Sequence, residues 1–496
     1  MTETVLVIGA GIGGLCTALA LASPDRQLVL LERDPPPPQG DADEAFADWA
    51  RRGVGHLRHS HAFLARLRLI LRDEHPQLLA DLLAAGCRDL GFEQMLSDEL
   101  KKGYRPEPVD RDFVVLTSRR TTLELVMRRY VERLANVEIR SGAFVTGLKL
   151  EPSSPVRVTG VTLEGGGELA ADLVVDAAGR TTTAIEQLVA AGAAIAEASE
   201  TAGILYFTRH YRLNPGMAEP TRGKSPGTGD LGFLKYGVFP ADNGWFSITM
   251  CVPEIELEMR KAIVDPAVFD TICAQLPGLV PWIDPARSRG VSRVFGMGDL
   301  RSRWRDMTPA GEATVLGYFP LGDSLVRTNP LYGRGCSFAA VSAYALRDSL
   351  TESADPAARL LAYQGAINAS LKPYYQDMLN QDRQAIRQAR NTLTPGYRPK
   401  LKARLMKRFL EDGVAVAIRS DVGLLRQALR GFHMLEDPSA WLKRPANLMR
   451  VMGYWARGKK ANAAAYPPTL GPGRQEMMRT LGLSPELDIE RLKEAA

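Results

Sequence analysis

The chain is poor in the residues that build covalent or metal frameworks. Its 496 residues include five cysteines and six histidines. Cys16, Cys87, Cys251, Cys273 and Cys336 are scattered, odd in number and form no Cys-x-x-Cys pair. This argues against a disulfide scaffold and a cysteine zinc site, and a reducing, cytoplasmic location is expected. No basic segment precedes the first apolar run, so no signal peptide is expected. Internal repeats are absent, as are low-complexity tracts beyond Pro35–Pro38. Long apolar runs are nearly absent too. The exception, Val5–Ala22, has no charge and reaches spanning length. However, Gly9, Gly11, Gly13 and Gly14 interrupt it and Ser23-Pro24 ends it, as in a strand–turn–helix rather than a membrane span.

What is present is ordinary globular composition, 45% hydrophobic and 24% charged, in a length that suits about three domains. Charge is uneven. From Gln381 onward there are 22 Lys+Arg and 11 Asp+Glu, whereas the rest of the chain is net negative. A basic tail can meet nucleic acid, membrane or acidic partners, but is more often a solvated helical face.

The patterning predicts α/β structure. Thr4–Ile8 and Gln27–Glu32 read as buried strands around a helix over Gly13–Ala22, a βαβ unit that implies a parallel sheet. Pro35–Gly53 reads as a long loop, and His61–Leu71 and Thr122–Leu134 as helices. Val137–Arg140, Phe144–Leu150 and Arg157–Leu163 alternate like a small antiparallel sheet. Asp172–Asp176 and Ala313–Leu321 read as buried strands. Gly203–Leu213, Gly232–Phe239 and Gly244–Val252 suggest a separate sheet. A helix is expected from about Ser337 to Ser349, and a mainly helical tail from Tyr363, broken at Pro395, Pro399 and near Pro438. Within that tail, Leu401, Leu405, Phe409 and Leu410 share a face opposite Lys/Arg. This stripe is expected to pack on the protein itself.

Two motifs carry chemistry. Gly9, Gly11 and Gly14 fill Gly-x-Gly-x-x-Gly between a strand and a helix. The first allows a tight turn, the second close approach of a pyrophosphate, and the third close helix–strand packing. Glu32 ends the next strand, where a carboxylate accepts from ribose hydroxyls. This motif does not separate FAD from NAD. The second motif, Gly322-Asp323 followed by Pro330, Gly333 and Gly335 at a helix start, does. It offers a carboxylate to a sugar chain and backbone donors to a ring edge. His56, His59 and His61 could bind zinc, but no Asp, Glu or Cys in their loop completes a set, so no metal is expected.

These motifs resemble the FAD-dependent aromatic-hydroxylase-like monooxygenases over residues 1–370. The resemblance implies that Asp323 binds the ribityl chain and that Gly333 and Gly335 lie against the pyrimidine edge. Ser118-Arg119-Arg120 is similar to the family's Ser-Arg before a helix, and spacing to Leu123 favours Arg120 as the residue touching FAD. Arg33, Arg58 and Val145 are the remaining cofactor contacts the resemblance implies. Closer still are bacterial flavin epoxidases of polyene precursors. Gly53-Val54-Gly55-His56-Leu57-Arg58-His59-Ser60-His61 resembles their Gly-Val-Pro-Gln-x-Arg-His-x-His loop, with Gly55-His56 in place of Pro-Gln. Asp172–Arg180 and Asn329-Pro330-Leu331-Tyr332-Gly333 are similar to further segments of theirs.

The implied architecture is a Rossmann-type FAD-binding domain (1–80, 111–185 and 298–370), a mixed β-sheet substrate domain (81–110 and 186–297) and a helical C-terminal region (371–496). The implied reaction is insertion of one oxygen atom of O2 into an apolar alkene or aromatic substrate through a flavin C4a-hydroperoxide. Alternatives are an FAD-dependent reductase of isoprenoid-like double bonds, a halogenase-like enzyme, although no Trp-x-Trp-x-Ile-Pro segment exists, and a silent flavin-binding scaffold. Catalytic side chains are not assigned, because epoxidation needs no side-chain base. Ala178-Gly179 stands where the hydroxylases carry Asp-Gly. With no second Gly-x-Gly-x-x-Gly between a strand and a helix, NAD(P)H is expected to act only indirectly, through a flavin reductase. Nucleic acid is not an expected partner, and membrane contact is expected to be weak.

Overall fold

In the computed structural model, residues 2–221, 223–394 and 396–485 are described. Pro395, an expected helix break, and the last residues of the tail lie outside them. The strands that matter here are β1 (Glu3–Ile8), β2 (Arg26–Glu32), β3 (Val137–Ser141), β4 (Val145–Glu151), β5 (Val156–Leu163), β6 (Leu173–Asp176), β7 (Ile204–Leu213), β8 (Lys235–Pro240), β9 (Trp245–Pro253), β10 (Val315–Leu316) and β11 (Tyr318–Pro320). The helices are α1 (Ile12–Leu21), α2 (Ala42–Asp48), α3 (Arg120–Val131), α4 (Gly335–Glu352), α5 (Pro356–Leu393), α6 (Leu401–Arg408), α7 (Ala415–Ser420), α8 (Val422–Phe432) and α9 (Pro445–Ala461).

A five-stranded parallel sheet runs in the order β11-β6-β1-β2-β3. Val5 sits at its centre, between Leu28 and Leu173. The inner strands are apolar because they are covered by packed elements, with helix α1 on β1 and β2 and strand β5 of the small antiparallel sheet on β6.

Two strand expectations need correction. Val137–Arg140 does not join an antiparallel meander but pairs with β2 in parallel. As an edge strand it is half exposed, so its residues alternate as an antiparallel strand's would. Ala313–Leu321 is not one strand. Gly317, at φ +74°, breaks it, and a Cβ there would meet the Val158 carbonyl oxygen at 2.6 Å. Upstream, β10 pairs with β5, and downstream β11 pairs with β6.

Two helix expectations change as well. Pro35–Gly53 contains α2, whose N-cap Asp41 accepts from the amides of Asp43 and Glu44 at 2.9 and 3.1 Å. The helix expected from His61 begins only at Ala65, which leaves His61 in a loop.

The second sheet has six strands, all paired antiparallel, with β8, β9 and β7 as adjacent members. One face packs Phe207, Tyr211, Phe246 and Ile248 against the C-terminal Met477 and Met478. The tail is helical. Phe92, Leu96, Leu100 and Phe113 pack against α8, and Arg426 pairs with Asp110 at 2.6 Å. The expected burial of the tail's apolar stripe fails at its start. Phe409 meets Trp455 with ring centroids 5.5 Å apart, but no residue of α6 is buried. Among the described residues no helix is long and apolar enough to cross a membrane.

Candidate active site

A cavity of about 1720 Å³ opens between the two sheets. Ordinary ligand pockets hold ~300–1,000 Å³, so this one has room for more than one small molecule. The N-terminal ends of α1 and α4 both open onto it, and neither has a side-chain cap. Two sets of unpaired backbone N–H groups therefore face one space, each favouring negative charge.

The glycines divide their tasks. Gly9 holds φ +95°, and a Cβ there would stand 2.8 Å from the Ala177 carbonyl oxygen. Gly11 lines the cavity with only Arg51 near its α-carbon. Gly14 packs the helix on the strand, as the motif implies, and makes no direct contact with the cavity. Its α-carbon is pressed against the strand, and a Cβ would lie 1.9 Å from the Gly9 carbonyl oxygen. It acts by letting α1 approach β1.

Glu32 lines the cavity. Its carboxylate accepts from the Ala10 and Asp34 amides, both at 2.9 Å, and pairs with Arg51 at 3.1 Å. Sequence reasoning missed Arg51. Its guanidinium also meets Glu124 at 2.6 Å, and its Nε is buried without a partner beside the cavity. Arg120 lines the cavity as expected, held by Glu124 at 3.3 Å and donating to His56 Nε2 at 2.8 Å. Arg119 is instead locked on Asp242. Arg33 and Val145 line the cavity, but Arg58 does not. Its guanidinium turns outward to the Phe46 and Ala47 carbonyls at the end of α2, so a cofactor contact through it is not supported.

Asp323, Pro330, Gly333 and Gly335 line the same cavity. Burial pushes the Asp323 carboxyl above its ordinary range, against the pull of Arg327, Arg120, Arg303 and Arg180. The loop of Pro330 and Gly333 hangs on an unexpected carboxylate, Asp382 of α5. Asp382 accepts from Asn329 Nδ2 and the Tyr332 hydroxyl, both at 2.9 Å, and Tyr206 donates to Asn329 Oδ1 at 3.0 Å. Burial raises Asp382 to about 6.

The histidine loop forms one wall. His61 Nδ1–H donates to the His59 carbonyl at 2.8 Å, so its Nε2 is left as an acceptor. Burial holds His59 down to about 4 and His61 to about 3, and pushes His56 well below its ordinary value, so all three are neutral at pH 7. Ser60 bridges Ser247 and Thr249 at 2.6 and 2.7 Å, tying the loop to the antiparallel sheet. Beyond it the cavity becomes an apolar chamber walled by Tyr236, Phe239, Met297, Leu300 and the tail segment Ala464–Pro468. That segment is fastened at both ends. Tyr466 donates to Asp412 at 3.0 Å, and Arg474 grips Glu256 at 2.7 and 2.8 Å.

No model of a known protein family matches the chain. Over 402 residues it is 30% identical to protein Rv3254 of Mycobacterium tuberculosis, covering 74% of this chain and 76% of Rv3254. The chain belongs to the family of Rv3254. Its fold is shared with solved flavin-dependent enzymes. It is similar to the flavin-dependent brominase Bmp2, at a TM-score of 0.58 and 15% identity over 92% of this chain and 100% of Bmp2. It is also similar to pqsL, a probable FAD-dependent monooxygenase from Pseudomonas aeruginosa, at 0.54 and 17% over 78% and 99%.

The residues fit FAD on their own terms. A cofactor with a pyrophosphate and a polyhydroxylated chain suits two uncapped helix ends, a side-chain-free approach at Gly11 and an unpartnered guanidinium nitrogen of Arg51. The Asp323 carboxylate, with no side-chain donor among the described residues, suits a hydroxylated chain.

Proposed function

We propose that this protein is an FAD-dependent monooxygenase that transfers one oxygen atom of O2 to an apolar small molecule, an alkene or an arene. The observation that carries the reading is the continuity of the cavity. Its phosphate-suited end, at Gly9–Gly13 and Glu32, leads without interruption to the aromatic and aliphatic chamber. FAD, when bound, supplies the activation of O2. Gly9, Gly11, the α1 end and Arg51 would hold its pyrophosphate, Glu32 a ribose, Asp323 the ribityl chain, and the α4 end with Gly333 and Gly335 the ring edge. Arg33, Val145 and Arg120 would complete the contacts. The chamber walls and the tail segment keep water from the reacting atoms and orient the substrate. His61 Nε2 is available to accept a hydrogen bond from a substrate hydroxyl.

Electrons come from a partner reductase or free reduced flavin rather than from docked NAD(P)H. In support, Ala178 offers no carboxylate, and nearby Asp176 is engaged by Tyr318, Ser324 and the Ala178 amide at 2.6, 3.0 and 2.9 Å. The test reconstitutes the protein with FAD, supplies electrons from a flavin reductase with NADH, and follows product and the O2 uptake above a blank lacking the protein, with apolar alkenes and phenols. Uptake stoichiometric with an oxygenated product supports the reading. Saturated product without O2 uptake makes the protein a reductase, and halide-dependent product makes it a halogenase. Anaerobic mixing with NADH or NADPH should leave the flavin band unbleached over a second or so. Bleaching by either nucleotide alone overturns the partner-reductase step.

A further inference from the structure

We propose that α6 and its flanks form a docking surface for an anionic lipid bilayer. The helix is eight residues long and none is buried. Leu401, Leu405 and Met406 are 66%, 47% and 52% exposed. They are not stray surface residues. Residues four apart share a helix face, and the stripe Leu401–Leu405 continues directly into Phe409, which is packed on Trp455. The face that is interior from Phe409 onward therefore runs out into solvent for two turns.

Charge says what covers it. Between Asp382 and Glu411 the chain carries nine Lys+Arg and no Asp or Glu. Two of these cations are paired, Arg383 with Glu200 and Lys407 with Glu411. Among the described residues no carboxylate lies within ion-pair distance of Arg398, Lys400, Lys402, Arg404 or Arg408. A second copy of this surface would be repelled by the same charge. Nucleic acid would satisfy the cations but leave the leucines in water. An interface of anionic headgroups over acyl chains satisfies both: the helix lies flat, its apolar stripe at the acyl boundary and its cations among the headgroups.

This surface is independent of the oxygenase reading, and its test needs no turnover. The full chain is floated with phosphatidylcholine vesicles, with and without phosphatidylglycerol. Binding is expected only with the anionic lipid. The triple variant Leu401→Asp, Leu405→Asp, Met406→Asp should lower the bound fraction on the order of tenfold or more. Because α6 buries nothing, circular dichroism of the variant should match the parent. A second variant, Leu405→Trp, should blue-shift its emission on anionic vesicles, which surface attraction without insertion would not produce. Four outcomes overturn the proposal: no binding to either vesicle, full binding by the triple variant, no Trp shift, or duplex DNA binding that the triple variant retains. A concentration-dependent doubling of mass abolished by the triple variant would assign the face to a second copy instead.

Discussion

Asp382→Asn isolates the cost of holding the loop of Pro330 and Gly333 with a buried acid. Asp382 is 4% exposed, and burial moves its carboxyl from 3.8 to about 6. At ~1.4 kcal/mol per pH unit, ionising it in the folded state costs ~3 kcal/mol relative to the unfolded chain. The sign follows from proton counting. Between about pH 4 and 6 the folded protein keeps a proton that the unfolded chain has released. Stability from this group is therefore full below pH 4, falls as pH rises through 6, and is level above. Asparagine keeps an oxygen to accept from Asn329 and Tyr332, and it cannot ionise. It also puts an amide N–H where Asp382 Oδ2 has no partner, a cost of ~1–3 kcal/mol that does not vary with pH. The measurement is urea unfolding of both proteins from pH 4 to 7.5. The stability of the variant minus that of the parent should climb by ~3 kcal/mol across the window, whatever its value at pH 4. A difference that stays flat refutes the argument, because the carboxyl would then titrate alike in both states.

Three further outcomes are expected. Gly14→Ala, whose Cβ would stand 1.9 Å from the Gly9 carbonyl oxygen, should lower stability by ~1–3 kcal/mol or more and weaken FAD retention in thermal and fluorescence titrations; Gly13→Ala, which meets a Leu321 methyl at 3.0 Å, should cost less. Arg51→Met strands the buried Glu32 and Glu124 carboxylates and should destabilise by ~3–5 kcal/mol in denaturant titration, with Arg51→Lys recovering part of the loss. Asp323→Ala removes a charged acceptor of ~1.5–3 kcal/mol and should weaken FAD on the order of tenfold or more; an unchanged titration would take Asp323 out of the site.

Much of the cofactor end was legible because its determinants are local. The turn at Gly9–Gly14, the strand into Glu32 and the Gly322-Asp323 step each sit within a few residues, where backbone rules act directly. Helix α2 carries a local signal too, since Asp41 with Asp43 and Glu44 behind it is an N-cap pattern, yet it lies inside the Pro35–Gly53 stretch that reads as a loop. Arg51 and Asp382 were not legible. Their meaning lies in carboxylates and loops 19 to 73 positions away, brought together only by tertiary packing. The same holds for Ala464–Pro468, which carries no chemistry of its own and matters only for where the chain passes. Strand β3 failed for a different reason: one exposed face imposes alternation on any edge strand, parallel or antiparallel.

The order of β11-β6-β1-β2-β3 has a consequence for how the molecule is made. On the ribosome, β6 emerges with its Leu-Val-Val edge exposed, and its partner β11 lies about 140 residues further on. At ~5–20 residues per second that edge waits roughly 7–30 s. The antiparallel sheet is synthesised during this interval: β8 and β9 pair as neighbours in sequence, and β7, made first, joins once β9 has appeared. The nucleotide end, assembled from residues near both 9 and 335, closes only afterwards, so the cofactor meets a chain already made past residue 335. A ribosome stalled between β6 and β11 would hold a folded antiparallel sheet beside a nucleotide sheet with one open, adhesive side.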